Sequence, residues 1–162
     1  MLRFVFSANY QLRNVKEMTE KGNAESLRKE IWSHFGELQN VFLATVEADQ
    51  PRLRPVSLIR LGDRLFFATG VGDAKVGQIK RNPKIEFCLL LEKGESKGTV
   101  RAECLANLVA DKGVKSEVYN KVPFMKEFWS SPEDKRYALI ELLPKGFEYM
   151  SIGSMQATKI KP

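Results

Sequence analysis

Arg54 and Lys75 stand 21 positions apart (75 − 54), and the run that begins and ends with them, RPVSLIRLGDRLFFATGVGDAK, reads as a device for bringing them together. Arg carries a planar fork of N–H donors that matches phosphate oxygens, and Lys a compact positive charge. Between them Thr69 offers a hydroxyl, and Gly70 and Gly72 offer loop amides with no side chain in the way. Lys75 falls in the first turn of an expected helix, where backbone N–H groups lack intrahelical partners and favour an anion. These are the parts of a cradle for a phosphate ester. Asp73 is the odd member, an acid among donors; the expectation is that it caps the helix and points away.

The convergence requires a hairpin. Leu53 to Arg60 and Arg64 to Thr69 flank LGD, where Gly62 can take a positive φ. Folding about Gly62-Asp63 sets Arg54 across from Thr69 to Val71. DAKVGQIKRNP then reads as a short helix, with Val76 and Ile79 on its apolar face and Asn82-Pro83 ending it.

The rest of the chain supplies a frame of the same kind. Val41 to Val46 is apolar and β-branched, and ADQP is a turn. KIEFCLLLE and KGTVRAECLANLVA are strands around Gly94. YALIELLPKGFEYMSI gives two more, turning at Pro-Lys-Gly. NAESLRKEIWSHFGEL is a helix with Asn23 as its cap, and DKGVKSEVYNKVPFMKEFW is helical with a break at Pro123. The expected fold is mostly β with flanking helices: a closed antiparallel barrel of six or seven strands, not a parallel βαβ sheet. The G-x-G-x-x-G fingerprint is absent, and GVGDAK follows an antiparallel hairpin. Residues 1–22 are read as an N-terminal extension, 23–152 as the domain, and 153–162 as a polar, loose tail.

At 162 residues the chain is the size of one domain. No apolar run approaches the ~20 residues of a membrane span, and the first residues lack the apolar core of a signal peptide. The expected address is the cytoplasm, with no membrane partner. Cys88 and Cys104 fall on the two strands around Gly94. Pairing about that turn sets Cys88 near Val100, roughly 13 Å along the strand from Cys104, too far for a disulfide. Two cysteines and one histidine do not make a metal site, so none is expected. The net charge of +6 is spread and interleaved with acids, with no run of five like charges. A bound small anion fits that pattern better than a nucleic acid.

The stretch LATVEADQPRLRPVSLIRLGDRLFFATGVGDAKVGQIKRNPKIEFCL resembles the FMN-binding split-barrel family related to pyridoxamine 5'-phosphate oxidase. The likeness lies in an ordered set: L-A-T, a turn, R-P-V, a strand ending F-x-T, a Lys-opened helix ending N-P, and a further strand. It covers roughly residues 38–143, and the chain looks closer to the short general-stress and nitroimidazole-reductase-like members than to the oxidase itself. The resemblance implies a split barrel that is a homodimer, with FMN in a groove at the interface. It implies that Arg54 and Lys75 hold the phosphate, that the backbone of Pro55, Val56 and Ser57 runs along the isoalloxazine, and that Phe67 to Thr69 line the ribityl and phosphate end. Gln78 is a weaker candidate on the same helix, and the partner chain's Trp129 or Phe128 would stack on the ring's outer edge. Two departures count against pyridoxamine phosphate as the substrate. The oxidase pattern R-x-V-x-x-K ends here at Ile59, and the C-terminal Trp-Arg and Arg-x-His motifs are absent from GFEYMSIGSMQATKIKP.

Several residues compete for roles. His34 is the sole histidine and sits between Trp32 and Phe35; packing is the ordinary reading and a role near the flavin the sharper one. Trp129 suits the core or a dimer contact as well as a stack. Arg52 shares a strand face with Arg54 and is separated from it only by the R-P-V likeness. Arg101 faces either groove or solvent. No acid–base pair stands out, so no catalytic residue is named. The leading expectation is an FMN-dependent oxidoreductase moving hydride or electrons from a reduced nicotinamide or other donor to a small molecule. The alternatives are a flavin-binding or sensing protein without turnover, the same barrel holding deazaflavin F420 or haem, and a nucleic-acid binder.

Overall fold

The computed structural model describes residues 22–162. The expected extension over residues 1–22 therefore lies, but for Gly22, outside the described residues. Helix α1 runs through 22–33 and belongs to a compact unit that ends at His34. Asn23 is inside this helix and is not its cap. The second unit, Phe35–Pro162, holds all the strands described below.

That unit is built from β1 (Leu38–Glu47), β2 (Gln50–Leu61), β3 (Arg64–Gly70), α2 (Ala74–Arg81), β4 (Lys84–Lys93), β5 (Ser96–Leu108), α3 (Lys112–Lys121), α4 (Met125–Phe128), β6 (Tyr137–Met150) and β7 (Thr158–Ile160). The strands pair antiparallel in the order β3-β2-β1-β4-β5-β6-β7, and β3 also pairs with β6, so the sheet returns on itself. This is the expected split barrel. Gly62 takes φ +61 in the β2–β3 turn and Gly94 φ +59 in the β4–β5 turn, conformations that glycine reaches without a Cβ penalty.

The ladders are unequal in length. β1–β2 and β4–β5 each hold ten pairs, from Leu38↔Ile59 to Glu47↔Gln50 and from Lys84↔Leu105 to Lys93↔Ser96. β2–β3 pairs only Ile59–Leu61 with Phe66–Arg64, and β1–β4 only Phe42–Ala44 with Cys88–Glu86. Beyond these short ladders the strands separate, which leaves two seams in the ring. The seam between β2 and β3 runs past Arg54.

Alternation explains most of the interior. On β1, Val41, Leu43 and Thr45 are buried while Leu38, Asn40 and Phe42 are exposed. β3 departs from it, because Leu65, Phe66 and Phe67 are all fully buried. The strand has two covered faces: Phe66 joins Ile59, Tyr137 and Leu139 in a cluster roofed by Val118, Tyr119, Val122, Met125 and Trp129 from α3, α4 and the residues flanking them. A strand covered on both faces reads as a continuous apolar run. Pro123 separates α3 from α4, as expected from the sequence.

Three expectations are corrected. YALIELLPKGFEYM is one strand, not two: the register passes from Cys104↔Pro144 to Glu103↔Gly146, so Lys145 is the extra residue of a bulge. Pro fits a bulge because it has no N–H to give the ladder. The polar end contributes β7, whose Thr158–Ile160 pair with Tyr149–Phe147 beyond the reach of β3. The cysteines also shift by one place. Cys88 lies opposite Arg101 and Cys104 opposite Ile85, so the two thiols point to opposite faces of the sheet and both are free. Burial raises both thiols, Cys104 to about 12. No helix among the described residues is long and apolar enough to cross a membrane.

Candidate functional site

A cavity of about 400 Å³ opens at the β2–β3 seam. One wall is Arg54, Pro55, Val56 and Ser57 of β2; the other is Ala68, Thr69 and Gly70 of β3. Asp73 and Lys75, at the start of α2, close one end, and Phe124, Phe128 and Trp129 add an aromatic border. The volume lies in the range of small-molecule sites, and a few polar groups set against apolar walls are typical of them.

Arg54 is the best-positioned cation. Its Nη1 donates to Thr45 Oγ1 at 2.5 Å and its Nη2 to Gln78 Oε1 at 3.0 Å, while the Thr45 hydroxyl donates to the same Gln78 oxygen at 2.6 Å. Thr45 and Gln78 are buried. Both acceptors are neutral, so the guanidinium is oriented without its charge being cancelled. It has five donors, and these bonds use two. Burial, and then the neighbouring Arg52, pull its pKa below the ordinary value. It remains a cation at neutral pH.

Arg52, its rival from the sequence, is committed elsewhere. It binds Glu47 through Nη2 at 2.8 Å and Nε at 3.0 Å on the exposed surface. Arg101 is likewise held by Glu86 at 2.5 Å and Glu148 at 2.7 Å, and it is not among the cavity's lining residues. Lys75 donates to Thr69 Oγ1 at 2.8 Å and to Asp73 Oδ2 at 2.9 Å.

Asp73 departs from expectation. It occupies the N-cap position of α2 but makes no side-chain cap bond. Its carboxylate turns back to accept from the Thr69 hydroxyl, from Gly70 N at 3.1 Å and from Lys75. The Thr69 bond first, and Lys75 second, hold its carboxyl below the usual carboxylate range.

The other expected residues distribute as follows. Pro55, Val56, Ser57, Thr69 and Trp129 line the cavity. Gln78 sits behind Arg54 as its acceptor, and the Phe67 side chain is fully buried and does not reach the cavity. Trp129 and Phe128 border the cavity of their own chain, where the likeness had placed a partner's. Trp129 is also core: its ring lies 5.0 Å from that of Tyr137, and its carbonyl accepts from Tyr119 at 2.7 Å. Ile59, where the oxidase pattern has Lys, is buried in the α3–α4 cluster. His34 belongs to the first unit, and the cavity lining comes from the second. Thr45 and Phe124 were given no role from the sequence, and Asp73 only that of a helix cap. Thr45 carried a signal all the same: a polar residue at an inward position of β1 needs a buried partner.

A larger cavity, about 600 Å³, lies at the other seam between Ala44–Val46 and Lys84–Glu86. Its charged lining, Lys84, Lys145, Glu86 and Glu103, sums to zero. It therefore lacks the uncompensated cation that marks the first.

Residues 27–151 match the family model described as pyridoxamine 5'-phosphate oxidase. Among solved structures the chain is similar to general stress protein 26 from Bacillus anthracis str. Sterne, with a TM-score of 0.69 at 22% identity over 84% of this chain and 98% of that one. A NimC/NimA family protein from Clostridium acetobutylicum gives 0.67 at 21% identity over 86% and 92%. A pyridoxamine 5'-phosphate oxidase-related, FMN-binding protein from Nostoc punctiforme PCC 73102 gives 0.61 at 16% identity over 74% and 78%. At these identities the likeness is one of fold. No protein with a curated description matches the chain.

Proposed function

The chain belongs to the pyridoxamine 5'-phosphate oxidase family, and we propose that it is an FMN-binding flavoprotein, an oxidoreductase acting on a small molecule. The observation that carries this reading is Arg54: a partly buried cation, oriented by two buried neutral acceptors, facing a cavity of suitable size. A phosphate monoester is the natural ligand for such a fork. Lys75 and the Thr69 hydroxyl supply further donors at the same end. The backbone of Pro55 to Ser57 forms the wall along which the ring would lie, and Trp129 and Phe128 offer aromatic faces at the border.

When bound, the flavin supplies the hydride or electron chemistry. The chain's own groups bind and orient. Among the described residues Asp73 is the only carboxylate in the lining, and it is engaged with Thr69, Gly70 and Lys75.

The proposal includes a homodimer. Exposed Leu38, Phe42, Leu53 and Leu90 share the outward face of β1, β2 and β4, because Phe42 pairs with both Pro55 and Cys88 and Ala44 with Leu53. Large apolar side chains exposed on one sheet face are a common mark of an interface between chains. Light scattering is expected to give twice the 18.4 kDa chain mass; a monomer mass at micromolar concentration would refute the dimer.

Absorbance tests the cofactor. The purified protein, as isolated or after addition of FMN and desalting, is expected to retain flavin bands shifted from those of free FMN. A protein that stays colourless after desalting and leaves FMN fluorescence unchanged would sink the flavin reading. Rapid-mixing reduction with NADH or NADPH then separates an oxidoreductase from a carrier that only binds flavin.

A further inference from the structure

One oxygen at the cation end of the cavity already collects the bonds that a phosphate would need. Asp73 Oδ2 accepts from a hydroxyl (Thr69), a backbone amide (Gly70, 3.1 Å) and an ammonium (Lys75, 2.9 Å). Gly70 makes room for it, since a Cβ there would lie 3.3 Å from Asp73 Oδ1. An N-cap Asp ordinarily spends its carboxylate on its own helix; this one makes no such bond and turns to the cavity side.

We propose that Asp73 is a built-in stand-in for the phosphate: it holds the Thr69–Gly70–Lys75 donors in the ligand-free protein, yields them when a phosphate ester enters, and so sets how strongly the site prefers FMN to riboflavin. This rests on the flavin reading above. A phosphate monoester carries about −1.5 to −2 charges near neutral pH. It meets Arg54 and Lys75 as attractive charges and Asp73 as a repulsive one; among the described residues these are the charged groups of the lining. Binding must either displace the carboxylate from its three donors or share Lys75 with it. Both weaken the phosphate's contribution. Riboflavin has no phosphate, leaves Asp73 in place, and is indifferent to it.

Titration of wild type, Asp73→Asn and Asp73→Ser with FMN and with riboflavin, by flavin fluorescence in low-salt buffer, tests this. Asn keeps an acceptor for Gly70 N–H while removing the charge. Asp73→Asn is expected to bind FMN about tenfold more tightly than wild type, with riboflavin affinity changed by less than about twofold. Asp73→Ser provides the same comparison if the Asn protein misfolds, and circular dichroism checks both. If wild type binds FMN and the charge-free variants bind it equally or less well, this inference is wrong and the flavin reading stands. If wild type binds neither flavin, the flavin reading fails and this inference falls with it.

Discussion

Arg54→Ala is expected to weaken FMN binding by roughly 10- to 150-fold, the equivalent of about 1.5–3 kcal/mol for a charge-assisted hydrogen-bond partner. Its effect on folding is expected to be small. Thr45 and Gln78 remain bonded to each other at 2.6 Å when the guanidinium leaves, so no buried polar group loses its only partner. Arg54→Lys keeps the charge but loses the fork, and is expected to recover only part of the affinity. Arg52→Ala is the matched control: it removes a cation two residues away that is spent on Glu47, and flavin affinity is expected to hold. Equal losses from Arg52→Ala and Arg54→Ala would mean that long-range charge, and not the seam geometry, governs binding.

Gly98→Ala is expected to cost about 3 kcal/mol of stability or more, because overpacking usually costs 1–3 kcal/mol and here the obstacle is main chain. A Cβ at Gly98 would fall 2.6 Å from Met150 O, 2.8 Å from Ile152 N and 3.0 Å from the Ser151 carbonyl carbon. None of these atoms belongs to a side chain that can turn aside. Relief requires moving β5 from the end of β6, at the expense of the Thr99↔Met150 pair and of the Gly153 N–H bond to Lys97 O at 3.0 Å. In a domain of this size such a loss lowers the thermal midpoint by about 6–12 °C. Gly72→Ala, in open space, is the control and is expected to leave the midpoint within about 2 °C. A Gly98→Ala protein as stable as wild type would show that the two chain segments lie farther apart than described.

What could be read from the sequence divides by range. The hairpin around Gly62 and the helix ending at Asn82-Pro83 carry local signals, and together they bring Arg54, Thr69 and Lys75 to one cavity. The widening of that hairpin into a seam was not legible. Past Phe66, β3 leaves β2 but keeps β6 on its other edge as far as Gly70↔Tyr137, and that partner strand begins 71 positions after Phe66 (137 − 66). For the same reason Phe124 and Phe128 could not be placed beside Arg54, since nothing in KVPFMKEFW fixes where the helix pair docks. Phe67 came to the site only through the family likeness; its neighbour Phe66 packs under α3 and α4, and both side chains are fully buried. Asp73 followed the usual rule for its position, and its side chain broke that rule in favour of Thr69 and Lys75. The tail was read as polar and loose, yet a polar segment can still lend its backbone to a free edge, as Thr158–Ile160 do to β6.

The most direct test of the account is a crystal structure of the protein grown with FMN. The phosphate is expected in the β2–β3 seam, within hydrogen-bond distance of the Arg54 guanidinium and the Lys75 ammonium, with the ring beside Pro55–Ser57. Flavin density at the other seam, or a phosphate out of reach of Arg54, would contradict it.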